Sequence, residues 1–164
     1  MPAVVTAIVI VVLAIGAFGA ALYFLVAQRL PELTSASLTA AQQRWAAKGP
    51  PSYSMSLKLG GARPGAVHIE VQQGEAVSMQ RDGRTPTQER TWRYWTVVGM
   101  FETLERELEI AEDPVNEMHA SQGAQLWLRC EFDPQYGYPA RFHRAVRGGG
   151  PEVYWQVTRF QALP

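Results

Sequence analysis

Hydrophobic positions change their spacing several times along this chain, and each change predicts an element. Residues 3–27, AVVTAIVIVVLAIGAFGAALYFLVA, form an apolar run with no charge and one strongly polar side chain, Thr6. A helix of about twenty such residues crosses the hydrocarbon core of a bilayer, so the run predicts a transmembrane helix. A cleaved signal peptide has a basic n-region and an apolar stretch of about 7–15 residues. Here no Lys or Arg precedes the run.

Beyond the run the spacing becomes that of a soluble fold. TSASLTAAQQRWAAKGPP offers Thr34 or Ser35 as an N-cap, Leu38 and Trp45 on one face, and Gly49-Pro50-Pro51 as a stop. It predicts a helix over about 35–48. YSMSLKL then alternates Tyr53, Met55, Leu57 and Leu59 with Ser54, Ser56 and Lys58, the period of a half-buried strand. After GGARPG, AVHIEVQ repeats the alternation with His68 and Glu70 on its polar face, Gly74 breaks it, and AVSMQ resumes it. RTPTQERTWRY, residues 84–94, reads as a loop.

Val97, Phe101, Leu104 and Leu108 recur at helical spacing behind a capping Thr96, with Glu102, Glu105, Glu109 and Glu112 on or near the opposite, solvated face. DPVNEMHASQG is a second loop. AQLWLRCEF places Leu126, Leu128, Cys130 and Phe132 on one face and Trp127, Arg129 and Glu131 on the other. ARFHRAV and EVYWQVTRFQAL alternate less cleanly, because Arg144 and Arg159 interrupt apolar positions, and both read as edge strands. The expected fold is α+β: an N-terminal transmembrane helix, then an antiparallel sheet of about five strands with two helices in the order α-β-β-α-β-β-β. Residues 1–30 make the anchor and 31–164 a single domain.

Composition narrows the function classes. Fifteen basic and fifteen acidic residues balance, all of them after position 27, so the cationic footprint of a nucleic-acid binder is missing. Cys130 is the lone cysteine and forms no intrachain disulfide. In an apolar strand position it behaves as a small hydrophobe. His68, His119 and His143 lie far apart, without metal-ligand spacing. RGGGP lacks the Lys-Ser/Thr and the following helix of a phosphate loop. No catalytic residue, metal ligand or cofactor is therefore assigned.

The most distinctive stretch is EFDPQYGYPARF, residues 131–142. Asp133-Pro134 suits the first half of a β-turn, Gly137 a residue of positive φ, and Pro139 the start of a strand. Counting back from that turn places Glu131 opposite Arg141 and Cys130 opposite Phe142. Turn chemistry accounts for every residue type present, while Tyr136, Tyr138 and Trp92 remain the candidate interaction surface.

Trp45, PPSYSMSL, VHIEVQQGEAVSM, MFETLERELE and DPQYGYP together resemble a bacterial domain-of-unknown-function family, number 6174, over about residues 36–162. The resemblance implies a small secreted or membrane-attached domain of the bacterial cell envelope and carries over no activity. Family members place further acids after the Gly-Tyr-Pro strand, whereas this chain has Arg144, Arg147 and a glycine run there.

The expected function is a non-enzymatic interaction or accessory module held in the lipid bilayer by a single pass. Its partner is another envelope or membrane protein, reached through the sheet face or loops. The alternatives are an envelope enzyme with a small-molecule pocket near Tyr136 and Tyr138, or an accessory subunit of a membrane complex. Arg29, Arg44 and Lys48 beyond the run favour a cytoplasmic domain by the positive-inside rule. The family resemblance implies an extracytoplasmic one, which is the expected orientation.

Overall fold

The computed structural model describes residues 30–112, 126–146 and 150–164, nearly all in one compact unit, Pro31–Pro164. The expected membrane-spanning helix over residues 3–27, His119 and part of the RGGGP turn lie outside the described residues. Among the described residues no helix is long and apolar enough to cross a membrane.

Helix α1 (Ser35–Lys48) starts at Thr34, whose Oγ1 accepts from the Ser37 N–H at 3.1 Å while Ser37 Oγ accepts from the Thr34 N–H at 3.0 Å. This reciprocal box satisfies two donors at the helix entrance and is worth about 1 kcal/mol. Leu38 and Ala41 are its buried positions. Strands β1 (Tyr53–Gly61), β2 (Gly65–Gln72) and β3 (Glu75–Arg81) follow, with Met55 opposite Ile69 and Ile69 opposite Met79. A 3-10 helix (Glu89–Trp95) leads into α2 (Val97–Glu112), where Thr96 Oγ1 accepts from the Gly99 N–H at 3.1 Å. Strands β4 (Leu126–Phe132), β5 (Pro139–Val146) and β6 (Val153–Ala162) complete a six-stranded antiparallel sheet ordered β3-β2-β1-β6-β5-β4.

Among the described residues three helices and six strands replace the two and about five expected beyond the membrane-spanning helix, and the described fold is mainly β. The missed strand comes from counting AVHIEVQ and AVSMQ as a single strand in the expected order. Gln73 and Gly74 have φ of 50° and 85°, a two-residue turn with both positions left-handed, which folds that stretch into a hairpin. The segment expected to be a loop holds the 3-10 helix, whose Trp92 and Trp95 pack against the core.

The expected edge strands are also wrong. β5 and β6 lie inside the sheet, and β3 and β4 form its edges. Arg159 fits because the β1–β6 register shifts between Ser56 and Leu57. Val157 pairs with Leu57 and Arg159 with Ser56, so Thr158 is an extra residue and the side-chain alternation slips by one. Arg144 stands between Leu128 and Val153 on the helix-covered face, where its Nε donates to Glu107 Oε2 of α2 at 2.8 Å.

The core occupies one face of the sheet. Leu38 and Ala41 of α1 and Val97, Met100, Phe101, Leu104 and Leu108 of α2 join Met55, Leu57, Ile69, Val71, Phe142 and Trp155 there in a single cluster. Gln42 Nε2 to Glu105 Oε1 at 2.7 Å and Ser35 Oγ to Glu112 Oε1 at 3.0 Å tie the two helices across their rims. The opposite face carries Ser54, Ser56, His68, Glu70, Arg141 and His143, half-buried or exposed. Upstream of α1 the chain closes the β4 edge. The Leu33 N–H donates to Leu128 O at 2.9 Å, the Cys130 N–H donates to Pro31 O at 3.0 Å, and the Leu33 side chain is buried.

Removing one partner of the Glu107–Arg144 pair strands a charge whose side chain is only 13% exposed. Glu107→Ala is expected to destabilise the domain by about 1–3 kcal/mol in urea unfolding. Replacing both residues by Leu should recover most of that loss. A double variant no more stable than Glu107→Ala would show that the pair is not what holds α2 at this point.

Candidate functional site

The stretch that drew notice in the sequence is a turn built around Asp133. Its Oδ1 accepts from the backbone N–H groups of Gln135 at 3.0 Å and Tyr136 at 2.7 Å. The Gly137 N–H donates to Asp133 O at 2.9 Å, and the Asp133 N–H donates to Tyr138 O at 2.8 Å. Pro134, which has no N–H, occupies a loop position that none of these bonds needs as a donor. Glu131 faces Arg141 and pairs with it, and Cys130 faces Phe142, as the count back from the turn predicted.

Gly137 has φ +91°, and a Cβ placed on it would sit 2.5 Å from Ala41 O and 3.1 Å from Arg44 Cβ. The α1 backbone rests directly on the turn. Around this contact five rings from four parts of the chain meet. Tyr138 stacks on Phe160 with ring centroids 4.4 Å apart, Tyr53 stacks on it at 5.2 Å, and Tyr136 lies against it at 5.6 Å. Trp45 meets Tyr53 edge-on at 5.5 Å and Phe160 at 6.1 Å. The Tyr53 hydroxyl in turn accepts the Val97 N–H at 2.8 Å, satisfying a donor that the first turn of α2 cannot pair internally. The cluster therefore joins α1, β1, β6, the turn and α2.

Burial pushes the Tyr53 phenol up to about 12, with the Val97 bond working against it. Tyr138 is pushed up to about 12 by burial and then by the Asp133 charge. Both stay protonated, as packing groups do. Trp92, the third residue of the expected surface, is half-buried in the 3-10 helix, and its Nε1 donates to Pro86 O at 3.3 Å. Among the described residues it makes no ring contact with Tyr136 or Tyr138. The structure thus brings two of the three together, as part of the packing, and leaves the third on the segment between β3 and α2.

Cys130 is buried, and its thiol is pushed far above the ordinary range by burial and then by the Glu131 charge, which keeps it from acting as a thiolate. Among the described residues no group of three or more His, Cys, Asp or Glu side chains could hold a metal ion.

The sequence points to the sheet face as a contact surface without singling out the residues exposed on it. Trp127 on β4 is 51% exposed and Tyr154 on β6 is 43% exposed. The Tyr154 ring lies across Gly60, its neighbour on β1, where a side chain would collide with it. A groove of about 590 Å³ runs over the other half of this face, with Ser56, Lys58, His68, Gln80 and Thr158 among its walls. The alternation of the strands signalled which residues face outward. Which of them become neighbours depends on strand order and bulges.

Gly137→Val combines a forbidden φ with a collision against α1, and is expected to cost 2 kcal/mol or more, on the order of other strained core substitutions. Tyr136→Phe should remain within about 0.5 kcal/mol of the parent in the same urea unfolding series. A Gly137→Val protein as stable as the parent would remove the helix-docking role of the turn. The two raised phenols make a separate prediction. Their ordinary value is 10.0 and their folded value about 12, so the stability they support is complete below about pH 10 and is lost as pH rises toward 12. Replacing both by Phe should flatten stability against pH in that window, and an unchanged slope would count against it.

No curated protein matches the chain. Residues 37–161 match the family of unknown function DUF6174, a span that runs from the first turn of α1 almost to the end of β6. With nearly the whole sheet, almost all of both α-helices and the Asp133–Pro139 turn inside the matched span, the chain belongs to the family of unknown function DUF6174.

Proposed function

We propose that the domain is an interaction module of the bacterial cell envelope, held at the membrane by the apolar run of residues 3–27, and that it docks a protein partner through the outer face of its sheet. One observation carries the reading: both α-helices contribute to a core on one face of the sheet, and the other face has exposed Trp127 and Tyr154. Trp, Tyr and Arg are the residues that dominate binding energy at protein interfaces, and Arg141 and Arg159 stand on this same face. An extracytoplasmic orientation is part of the proposal and rests on the family likeness. An accessory subunit of a membrane complex would use the same surface. A small-molecule pocket beside Tyr136 and Tyr138 draws no support, since both rings pack on Phe160.

The test is capture of a partner from detergent-solubilised membranes by the full chain. Trp127→Ala and Tyr154→Ala should each weaken capture about tenfold or more, as hot-spot residues do, while Tyr136→Phe leaves it unchanged. Equal capture by all three variants would remove the outer face from the interaction. Carbonate-washed membranes should retain the protein, and a C-terminal reporter active only after export should work. Recovery in the soluble fraction, or activity of a cytoplasm-only reporter instead, would overturn the corresponding part.

A further inference from the structure

The half of the outer face away from Trp127 holds a different arrangement, centred on Ser56. Ser56 of β1 stands directly opposite His68 of β2, and its Oγ lies 3.0 Å from His68 Nδ1. By itself this is a cross-strand contact of the kind found on many solvent-facing sheets. Further features converge on the same serine. His68 Nε2 lies 4.0 Å from Glu70 Oε1, so the carboxylate favours the imidazole tautomer that carries its proton on Nε2 and leaves Nδ1 free to accept one from Ser56. On the other side of Ser56 the β6 bulge brings Thr158 and Arg159 to the strand, with Thr158 Oγ1 donating to Ser56 O at 3.2 Å and Arg159 opposite Ser56 in register. Lys58 follows two residues along β1 on the same face, and the groove of about 590 Å³ opens over Ser56, Lys58, His68, Gln80 and Thr158. Bulges recur beside active sites because they re-aim side chains, and here the extra residue brings Thr158 Oγ1 to the backbone of a serine whose hydroxyl is already bonded to an imidazole, while the Arg159 guanidinium donates to Gln161 Oε1 at 3.2 Å.

We propose that Ser56 is a nucleophile activated by His68, and that the groove admits small acyl esters. Ser56 Oγ attacks the ester carbonyl carbon and passes its proton to His68 Nδ1 as the new C–O bond forms. The oxyanion of the tetrahedral intermediate is offset by the Lys58 cation on the wall of the groove. When the original C–O bond breaks, the departing alcohol oxygen takes the proton from His68. Water, deprotonated by the same imidazole, then attacks the acyl-Ser56 carbonyl and releases the carboxylic acid, returning the proton to Ser56 Oγ. Ester and water become acid and alcohol, with no other reactant. Glu70 touches neither substrate nor Ser56 and is a positioning residue. This goes beyond the docking role, which is carried by Trp127 and Tyr154 on other strands.

A fluorophosphonate probe tests the assignment directly, because it forms a serine O–P bond with loss of fluoride only where a hydroxyl is activated. The full chain in detergent micelles is treated with the probe and the adduct is located by peptide mass spectrometry. The expected adduct is on Ser56 and not on Ser54, a serine on the same face of the same strand that faces Glu70 instead of a histidine. His68→Ala should slow labelling about a hundredfold or more, the scale of a lost general base, and Glu70→Gln should slow it several-fold while leaving the melting temperature unchanged. Hydrolysis of para-nitrophenyl acetate should fall to the buffer rate in Ser56→Ala. Both side chains lie on the solvent side, so thermal melts of these variants should match the parent, and capture of a membrane partner should be unaffected by Ser56→Ala. No adduct on Ser56, labelling that His68→Ala does not change, or equal labelling of Ser54 would each overturn the proposal.

Discussion

The backbone contact between α1 and Gly137 is the constraint on which the rest of the fold depends. A sheet with one covered face needs its helices set at a fixed height, and here that height is set by a carbonyl of α1 resting where a turn residue has no side chain. The turn can offer that surface because Asp133 ties two successive N–H groups and so holds Gly137 at a left-handed φ. With α1 in place, Trp45 reaches Tyr53 and Phe160, and Tyr53 reaches the first turn of α2. One missing side chain thus aligns two helices and three parts of the sheet. The DPQYGYP motif is therefore explained by packing geometry, with its two tyrosines as the outer members of an aromatic stack.

Much of this was legible in the residues. The Thr34 cap and the Gly49 stop bound α1 where local chemistry says they should, and the strict alternation of β1 fixes which side chains face the core. The pairing of Glu131 with Arg141 followed from the turn alone, since a short loop leaves little freedom of register. The failures occur where one residue changes the phase of a strand. Gln73 has no intrinsic preference for positive φ, so the second hairpin is announced only by Gly74. Thr158 looks like any strand residue until β1 imposes a register on it.

Arg144 failed for a different reason. An arginine among apolar positions suggests a surface, yet its partner lies on a helix 37 residues earlier, and no local pattern connects them. The candidate site shows the same limit. Three aromatic residues were grouped by chemistry, and distance then separated Trp92 from the two tyrosines. Ser56 and His68, twelve residues apart on facing strands, were each read correctly as outward-facing. Their contact needs the number of residues in the intervening loop and the twist of the hairpin, which alternation alone does not encode.

The short stretch Pro31–Leu33 that closes the β4 edge also bears on how the domain responds to load. Tension applied to the chain from its N-terminal side meets the hydrogen bonds of Pro31 O and the Leu33 N–H and the buried Leu33 side chain ahead of α1. Only after these yield does it arrive at the capping box of α1 and the contact with Gly137. Edge pairings of this kind give way one bond at a time, whereas the interior strands of the sheet share a load across many. Peeling the segment from the sheet would draw Leu33 out of the core and uncover the backbone of an edge strand that is otherwise shielded from pairing with another chain.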